Sequence, residues 1–275
     1  MLFLLALAIA PVAVGLIYIY CRDLIAKEPA EALAKSFFSG ATLPIIGVIL
    51  LVLPLRMIIG DPETIEPTWL AAFDAAFIEA GIPEELFKFL VLYWLVWNSK
   101  DFDENFDGIV YAVFVSMGFA CAENIMYVFQ RGETVGYIRA FTAVPGHFFF
   151  AVIMGYYFSL AKFNSRDRTG NIAKAILLPM LAHSVYDYIL FYCKFLNERY
   201  GEEANAIIGV AIIIFFFFII KLWKQGFKRI SELREMDKRK LQQAKAQDDD
   251  FGNLPGRKFS TYGRRDPRID DLLDQ

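Results

Sequence analysis

Histidine is nearly absent from this chain: 275 residues contain two. Cysteine is scarce as well, and Cys21, Cys121 and Cys193 are far apart and odd in number. That excludes a disulfide framework and a CxxC metal site. Cys121 lies within an apolar run and reads as a small buried hydrophobe. Positive charge is not in excess either. The net charge is -3, and Lys and Arg sit in loops and a terminal stretch, not on a folded basic face, so a nucleic-acid partner is excluded. No basic segment precedes the first apolar run, Met1-Leu2-Phe3-Leu4-Leu5, which argues against a cleavable signal peptide. The run continues to about Tyr20 and Arg22 follows it, the pattern of an uncleaved first span with its N-terminus outside.

What the chain has is apolar residues, 56% of the total against about 45–50% in a soluble domain, gathered in long runs. A span needs about 20 of them. On that rule helices are predicted near Leu2–Tyr20, Phe37–Ile59, Thr68–Trp97, Phe106–Phe129, Val135–Phe163, Ile172–Phe195 and Ala204–Trp223. The third is interrupted by Gly81-Ile82-Pro83, and proline breaks or kinks a helix. Thr68–Ala80 is therefore expected to be a lead-in at one surface and Pro83–Trp97 the crossing.

Loop charges test the count. The first loop carries Arg22, Lys27 and Lys35, whereas the second has Asp61, Glu63 and Glu66 without Lys or Arg. The fifth has Lys162, Arg166, Arg168 and Lys174, and the terminal stretch opens with Lys221, Lys224, Lys228 and Arg229. Alternation holds if Thr68–Trp97 crosses once. The expected fold is an all-α, polytopic transmembrane bundle of about seven crossings in the plasma membrane, N-terminus outside and C-terminus cytoplasmic. Residues 1–223 would form the membrane domain. Residues 224–275 would form a charged cytoplasmic helix and a disordered tail, either a solvated tether or a site for a cytoplasmic partner.

A charge at the centre of a membrane helix costs about 2.5–3.5 kcal/mol on the insertion scale. Yet Glu79, Glu84, Glu85, Lys88, Glu123, His147, His183 and Asp187 lie in or at the edges of the predicted spans. Lys88 is three and four residues from Glu85 and Glu84, within reach on one helical face. His183 and Asp187 are also four apart, so the carboxylate can hold one imidazole nitrogen and leave the other aimed at a substrate or metal. Rise per residue places Glu123 about 9 Å, His147 about 13 Å, His183 about 16 Å and Asp187 about 10 Å below the outer surface. A shared layer in the outer half of the bilayer is the signature of a site. Structural readings stand beside it: a buried Glu84–Lys88 pair, a His183–Asp187 interhelical clamp, and Glu79 as a surface carboxylate.

Carboxylates, two imidazoles and an amine in a sheltered layer suit peptide hydrolysis. That reaction needs a base for water and donors for the oxyanion. Two His and a carboxylate (His147, His183, Glu123) would equally suit zinc. HExxH is missing, as are GxGD and GxSG, so zinc site-2, aspartyl and rhomboid-type membrane proteases are unsupported. A non-catalytic scaffold would use the same groups to bind partners. A proton-coupled transporter would also bury Glu and His, but it calls for inverted repeats with matched helix breaks, and only one break is present.

Glu84-Glu85-Leu86-Phe87-Lys88 is similar to an EExxK motif, Phe119-Ala120-Cys121-Ala122-Glu123 to FxxxE, and His183-Ser184-Val185-Tyr186-Asp187 to HxxxD, with His147 after Pro145-Gly146 between the last two. In this order the motifs resemble the PrsW family of intramembrane proteases, over roughly residues 71–192. The resemblance implies regulated proteolysis of single-span membrane proteins such as anti-sigma factors near the extracytoplasmic face. It implies Glu84 and Glu85 as activators of water, assisted by Glu123. His183 and Asp187 would serve the oxyanion or a metal, and His147 would line the site, with Lys88 and Phe119 in support. Glutamate-type and metal-dependent mechanisms both stand within it.

Overall fold

The computed structural model describes residues 1–23, 25–60 and 66–252. Among them every regular element is a helix. In chain order these are α1 (Leu2–Arg22), α2 (Ala30–Ile59), α3 (Thr68–Phe73), a π-helical stretch (Asp74–Gly81), α4 (Ile82–Val96), α5 (Asp107–Arg131), α6 (Glu133–Phe141), α7 (Ala143–Phe163), α8 (Arg168–Tyr200) and α9 (Asn205–Gly252). Length and composition alone qualify 2–22, 30–59, 107–131, 133–163 and 168–246 as spans. The last holds both α8 and α9, parted by a 3-10 turn at Gly201–Ala204. The α3–π–α4 segment carries too many acids to pass on composition. Together the described helices form an all-α bundle with five segments long and apolar enough to cross a membrane.

Helix α5 is the axis of the bundle. Of its apolar window 72% is buried, against 6% for α2, whose Leu50, Leu53 and Met57 are exposed in the manner of a lipid-facing helix. Lipid tails are as apolar as leucine, so helices in a membrane associate through close packing and small residues. Two such approaches fix α5. A Cβ on Gly118 would lie 2.0 Å from the Phe37 carbonyl oxygen of α2, and one on Gly155 of α7 would lie 2.3 Å from the Gly108 carbonyl oxygen.

Two local expectations need correction. Gly81-Ile82-Pro83 does not end a surface lead-in. The helix runs on, widened into π geometry over Asp74–Gly81, and Pro83, which has no N–H to offer, enters at the first turn of α4. The predicted segment Val135–Phe163 is two helices, with a break at Thr142 (φ -123, ψ -71). Pro145 lies three residues on and cannot donate to the Phe141 carbonyl as the next helix starts.

The charged stretch after Trp223 is helical, as the sequence predicts. It continues α9 and lies against the bundle, with Ile230, Leu233 and Asp237 buried and Phe227 edge-on to Phe149 and Tyr18. Asp237 accepts from the backbone N–H groups of Asn105 (3.0 Å) and Phe106 (2.8 Å) and from the Asn105 side chain. It thereby satisfies donors at the start of α5 that would otherwise be orphaned. Asp61, Glu63 and the tail from Asn253 to Gln275, expected to be disordered, lie outside the described residues.

Other acids collect at this end. Burial pushes Asp23 up to about 6, Glu28 up to about 7 and Glu104 up to about 8, with Asp103, Asp237 and one another as further negative neighbours and Lys27 opposing at Asp23. Tyr111 donates a hydrogen bond to Glu28.

Asp237→Ala leaves two buried amides unsatisfied and should cost about 1–3 kcal/mol, read as a lower thermal midpoint of the detergent-solubilised protein; an unchanged midpoint would show that the clasp is idle. The acids give a pH dependence whose sign follows from linkage. Their folded values lie above the ordinary 3.8 and 4.5, so between about 4 and about 8 the folded state holds protons the unfolded chain has lost, and stability falls as pH rises. Midpoints measured at pH 5 and pH 8 should differ in that direction, and Glu104→Gln should narrow the gap. A midpoint that climbs towards pH 8 contradicts the assignment.

Candidate active site

The polar residues of four helices meet beside the middle of α5. On α4, directly after the π-helical stretch, spacings of three and four place Glu85 and Glu84 over Lys88. The Lys88 ammonium lies 2.7 Å from Glu85 Oε1 and 3.4 Å from Glu84 Oε2. Both Lys88 and Glu85 have side chains with 0% exposure. A Cβ on Gly81 would meet Ser184 Oγ at 2.3 Å, so the π-helical stretch packs directly on α8, one residue from His183.

Each imidazole is held from outside by a carboxylate. His147 of α7 places Nε2 2.9 Å from Glu123 Oε2 on α5 and Nδ1 3.2 Å from Lys88 Nζ. An ammonium has no acceptor, so Lys88 donates to Nδ1 and the Nε2–H of His147 donates to Glu123. His183 of α8 has Nε2 3.2 Å from Asp187 Oδ2 and Nδ1 2.9 Å from Glu85 Oε1. The two rings stand at right angles, 5.1 Å apart. Glu123–His147 and Asp187–His183 are thus two carboxylate–imidazole units whose Nδ1 atoms face a common interior.

Aromatic rings close the site. Lys88 Nζ lies 4.0 Å over the Phe119 ring, and Phe119 is edge-on to His147. Phe150 stacks on His183 at 4.9 Å. Ser116 donates to the His147 carbonyl at 3.0 Å and pins that turn of α7.

All the residues singled out from the sequence within the motifs, Glu84, Glu85, Lys88, Phe119, Glu123, His147, His183 and Asp187, therefore fall in one cluster. Glu79 does not. It pairs with Arg56 of α2 at 2.5 Å, and Arg56 also holds Asp74, so that group braces the π-helical stretch. Sequence reasoning missed Phe150, whose aromatic side chain is one of many, and Arg139 of α6, which pairs with Glu123 at 2.7 Å. A signal for Arg139 was present: it is a basic residue inside the predicted span Val135–Phe163, where a charge needs a partner.

The site fits a metal ion. Ligand atoms of Glu84, Glu85, His147 and His183 all lie within 4.8 Å of one another, and Glu85 Oε2 is buried without a hydrogen-bond partner. Glu123 stands outside this compact group, behind His147. The Lys88 ammonium among the same atoms marks the place as one that calls for positive charge.

A polytopic helix bundle that spends buried acids, imidazoles and an amine on one pocket between its spans is built as an intramembrane hydrolase. The family described as PrsW family intramembrane metalloprotease matches residues 28–222, and this chain belongs to it. Among curated relatives, the protein named Protease PrsW of Clostridioides difficile (strain 630) is 33% identical over 93% of this chain and 98% of its own length. Those of Oceanobacillus iheyensis and Bacillus subtilis (strain 168) are 38% and 34% identical over 69% and 68% of this chain and 84% and 82% of theirs. No solved structure matches. The chain is an intramembrane protease.

Lys88 is the counter-charge on which the acids depend, and removing one partner of a buried pair costs about 3–5 kcal/mol. Lys88→Met should therefore lower the thermal midpoint sharply, and adding Glu85→Gln should recover part of the loss. Equal stability of Lys88→Met and the parent would show that the carboxylates do not need the amine.

Proposed function

We propose that the protein cuts single-span membrane proteins, anti-sigma factors among them, within the outer half of the plasma membrane, with its N-terminus outside and residues 224–275 in the cytoplasm. The orientation rests on the loop charges: Lys and Arg crowd the first and fifth loops and α9 beyond Trp223. The carrying observation is the pair of carboxylate–imidazole units whose Nδ1 atoms converge on Glu84, Glu85 and Lys88.

The two glutamates have different work. Glu85 is fully buried and its Oε1 is committed to Lys88 and His183, so it anchors the pocket. Glu84 is 13% exposed, with Lys88 Nζ at 3.4 Å and His183 Nε2 at 3.9 Å. It has the freedom to take a proton from an entering water, and is the base of the pair. Lys88 and His183 are the donors near a tetrahedral oxyanion. Asp187 and Glu123 orient the rings, and Phe119 shields the ammonium. Zinc is the ion that this nitrogen and oxygen set suits; His147 and His183 would hold it with Glu84 or Glu85, and when bound it would supply an acidified water and a Lewis acid.

The test is to purify the protein, determine its metal content, and assay cleavage of epitope-tagged single-span membrane proteins co-expressed or co-reconstituted with it, with and without chelator. Glu84→Gln, Glu85→Gln and His183→Ala should each abolish clipping while the protein still accumulates. Chelator-sensitive activity with one equivalent of zinc supports the metal; full activity in metal-free protein supports glutamate-activated water. Clipping that survives all three substitutions sinks the assignment and leaves a scaffold that binds partners without cutting them.

A further inference from the structure

We propose that Arg139 is a positioning residue: it holds Glu123 against His147 and so ties the aim of His147 to the seating of the surface helix α6. The inference rests on the reading of the site given above.

Contacts run without a gap from α6 to the centre of the pocket. Arg139 Nη2 lies 2.7 Å from Glu123 Oε2, and that same oxygen is 2.9 Å from His147 Nε2. The other ring nitrogen of His147 faces Lys88. Glu123 has two ion-pair partners among the described residues, His147 and Arg139. Without the arginine its carboxylate, on an apolar helix, keeps one imidazole and gains freedom to turn away from it.

The guanidinium is itself fixed on several sides. Its Nε donates to Asn124 Oδ1 at 2.9 Å, and Asn124 Nδ2 donates to the Ala8 carbonyl of α1 at 2.8 Å. Its Cζ lies 4.2 Å from the Tyr127 ring centroid. One fork thus grips two consecutive residues of α5 and stacks on a third one turn along. A lysine has a single point of charge and cannot reproduce this.

Helix α6 is held as a separate piece. Gly132, at φ +85, starts it and Thr142 ends it. At Gly136 an added Cβ would meet Leu7 Cδ2 at 2.6 Å and Val128 Cγ2 at 3.1 Å, so α6 is pressed onto α1 and α5. Tyr137, Ile138 and Phe141 stay exposed, placed to lie in the membrane interface. Whatever lifts this nine-residue helix withdraws Arg139 from Glu123.

The test compares the parent with Arg139→Ala, Arg139→Lys, Arg139→Gln, Glu123→Gln, His147→Ala and the double variant Arg139→Ala/Glu123→Gln. Arg131→Ala is the control, because Arg131 faces the same Tyr127 at 5.1 Å but, among the described residues, makes no ion pair with the site. The reporter is the tagged single-span protein that the parent cuts, and zinc chloride is titrated separately into metal-stripped protein. Loss of an outer-shell partner typically costs 10–100-fold, so Arg139→Ala should lose about 10–100-fold in kcat with KM little changed, and zinc affinity should fall by a similar factor. Arg139→Lys should recover only part, and the double variant should be no worse than Glu123→Gln alone. If Arg139→Ala does not accumulate, Arg139→Gln is read in its place, and if the parent binds no zinc, kcat decides. Parental kcat in the Arg139 variants beside crippled Glu123→Gln and His147→Ala overturns the role of Arg139 alone, as does a double variant whose loss is the product of the two single losses. Parental kcat in Glu123→Gln and His147→Ala overturns the site itself.

Discussion

A bilayer offers no water to an ionised side chain, so each charge placed in it must be answered by another group of the protein. In this chain the answer to Glu84 and Glu85 is Lys88, buried to 0% exposure and shared with His147. Around that ammonium the rest follows. Its donation to Nδ1 of His147 leaves the far nitrogen to Glu123, and Glu85 in turn engages His183, which needs Asp187. Helices α4, α5, α7 and α8 are stitched together by one charge network. A buried ion pair is weak evidence of stability; here its tightness specifies which faces of four helices must meet.

Most of this could be read from residue spacing. Offsets of three and four put Glu84, Glu85 and Lys88 on one face and His183 over Asp187, and helical rise alone brought Glu123, His147, His183 and Asp187 to a shared depth. An error of one or two residues in a helix end shifts such a depth by only about 1.5–3 Å. Rotation about a helix axis is not so forgiving. Nothing in the spacing said that Glu123 faces His147 rather than the compact group of Glu84, Glu85, His147 and His183, or that Phe150 stacks on His183. Those facts depend on how neighbouring helices dock.

The features that sequence missed share a cause. Gly-Ile-Pro looks like a break, because proline removes a hydrogen bond; a widened turn can absorb that loss without ending the helix, and only the surrounding packing decides between the two. The stretch after Trp223 looks solvated because it is rich in Lys, Arg and Glu. Its buried stripe is narrow, Ile230, Leu233 and Asp237, and Asp237 is polar, used to bind the amides that open α5. Arg139 lies outside the three motifs, so residue spacing gave no reason to join it to Glu123.

The widened turn at Asp74–Gly81 also sets an angular register. Successive residues of an ordinary helix are spaced about 100° around its axis, at 3.6 residues per turn. Expanding one stretch of α3–α4 therefore offsets everything downstream from everything upstream. Arg56 clamps the widened stretch itself through Asp74 and Glu79, while Glu84, Glu85 and Lys88 lie just downstream. Were the clamp lost and that stretch to relax to ordinary helical geometry, both acids and the amine would swing together away from the imidazoles while keeping their place along the chain.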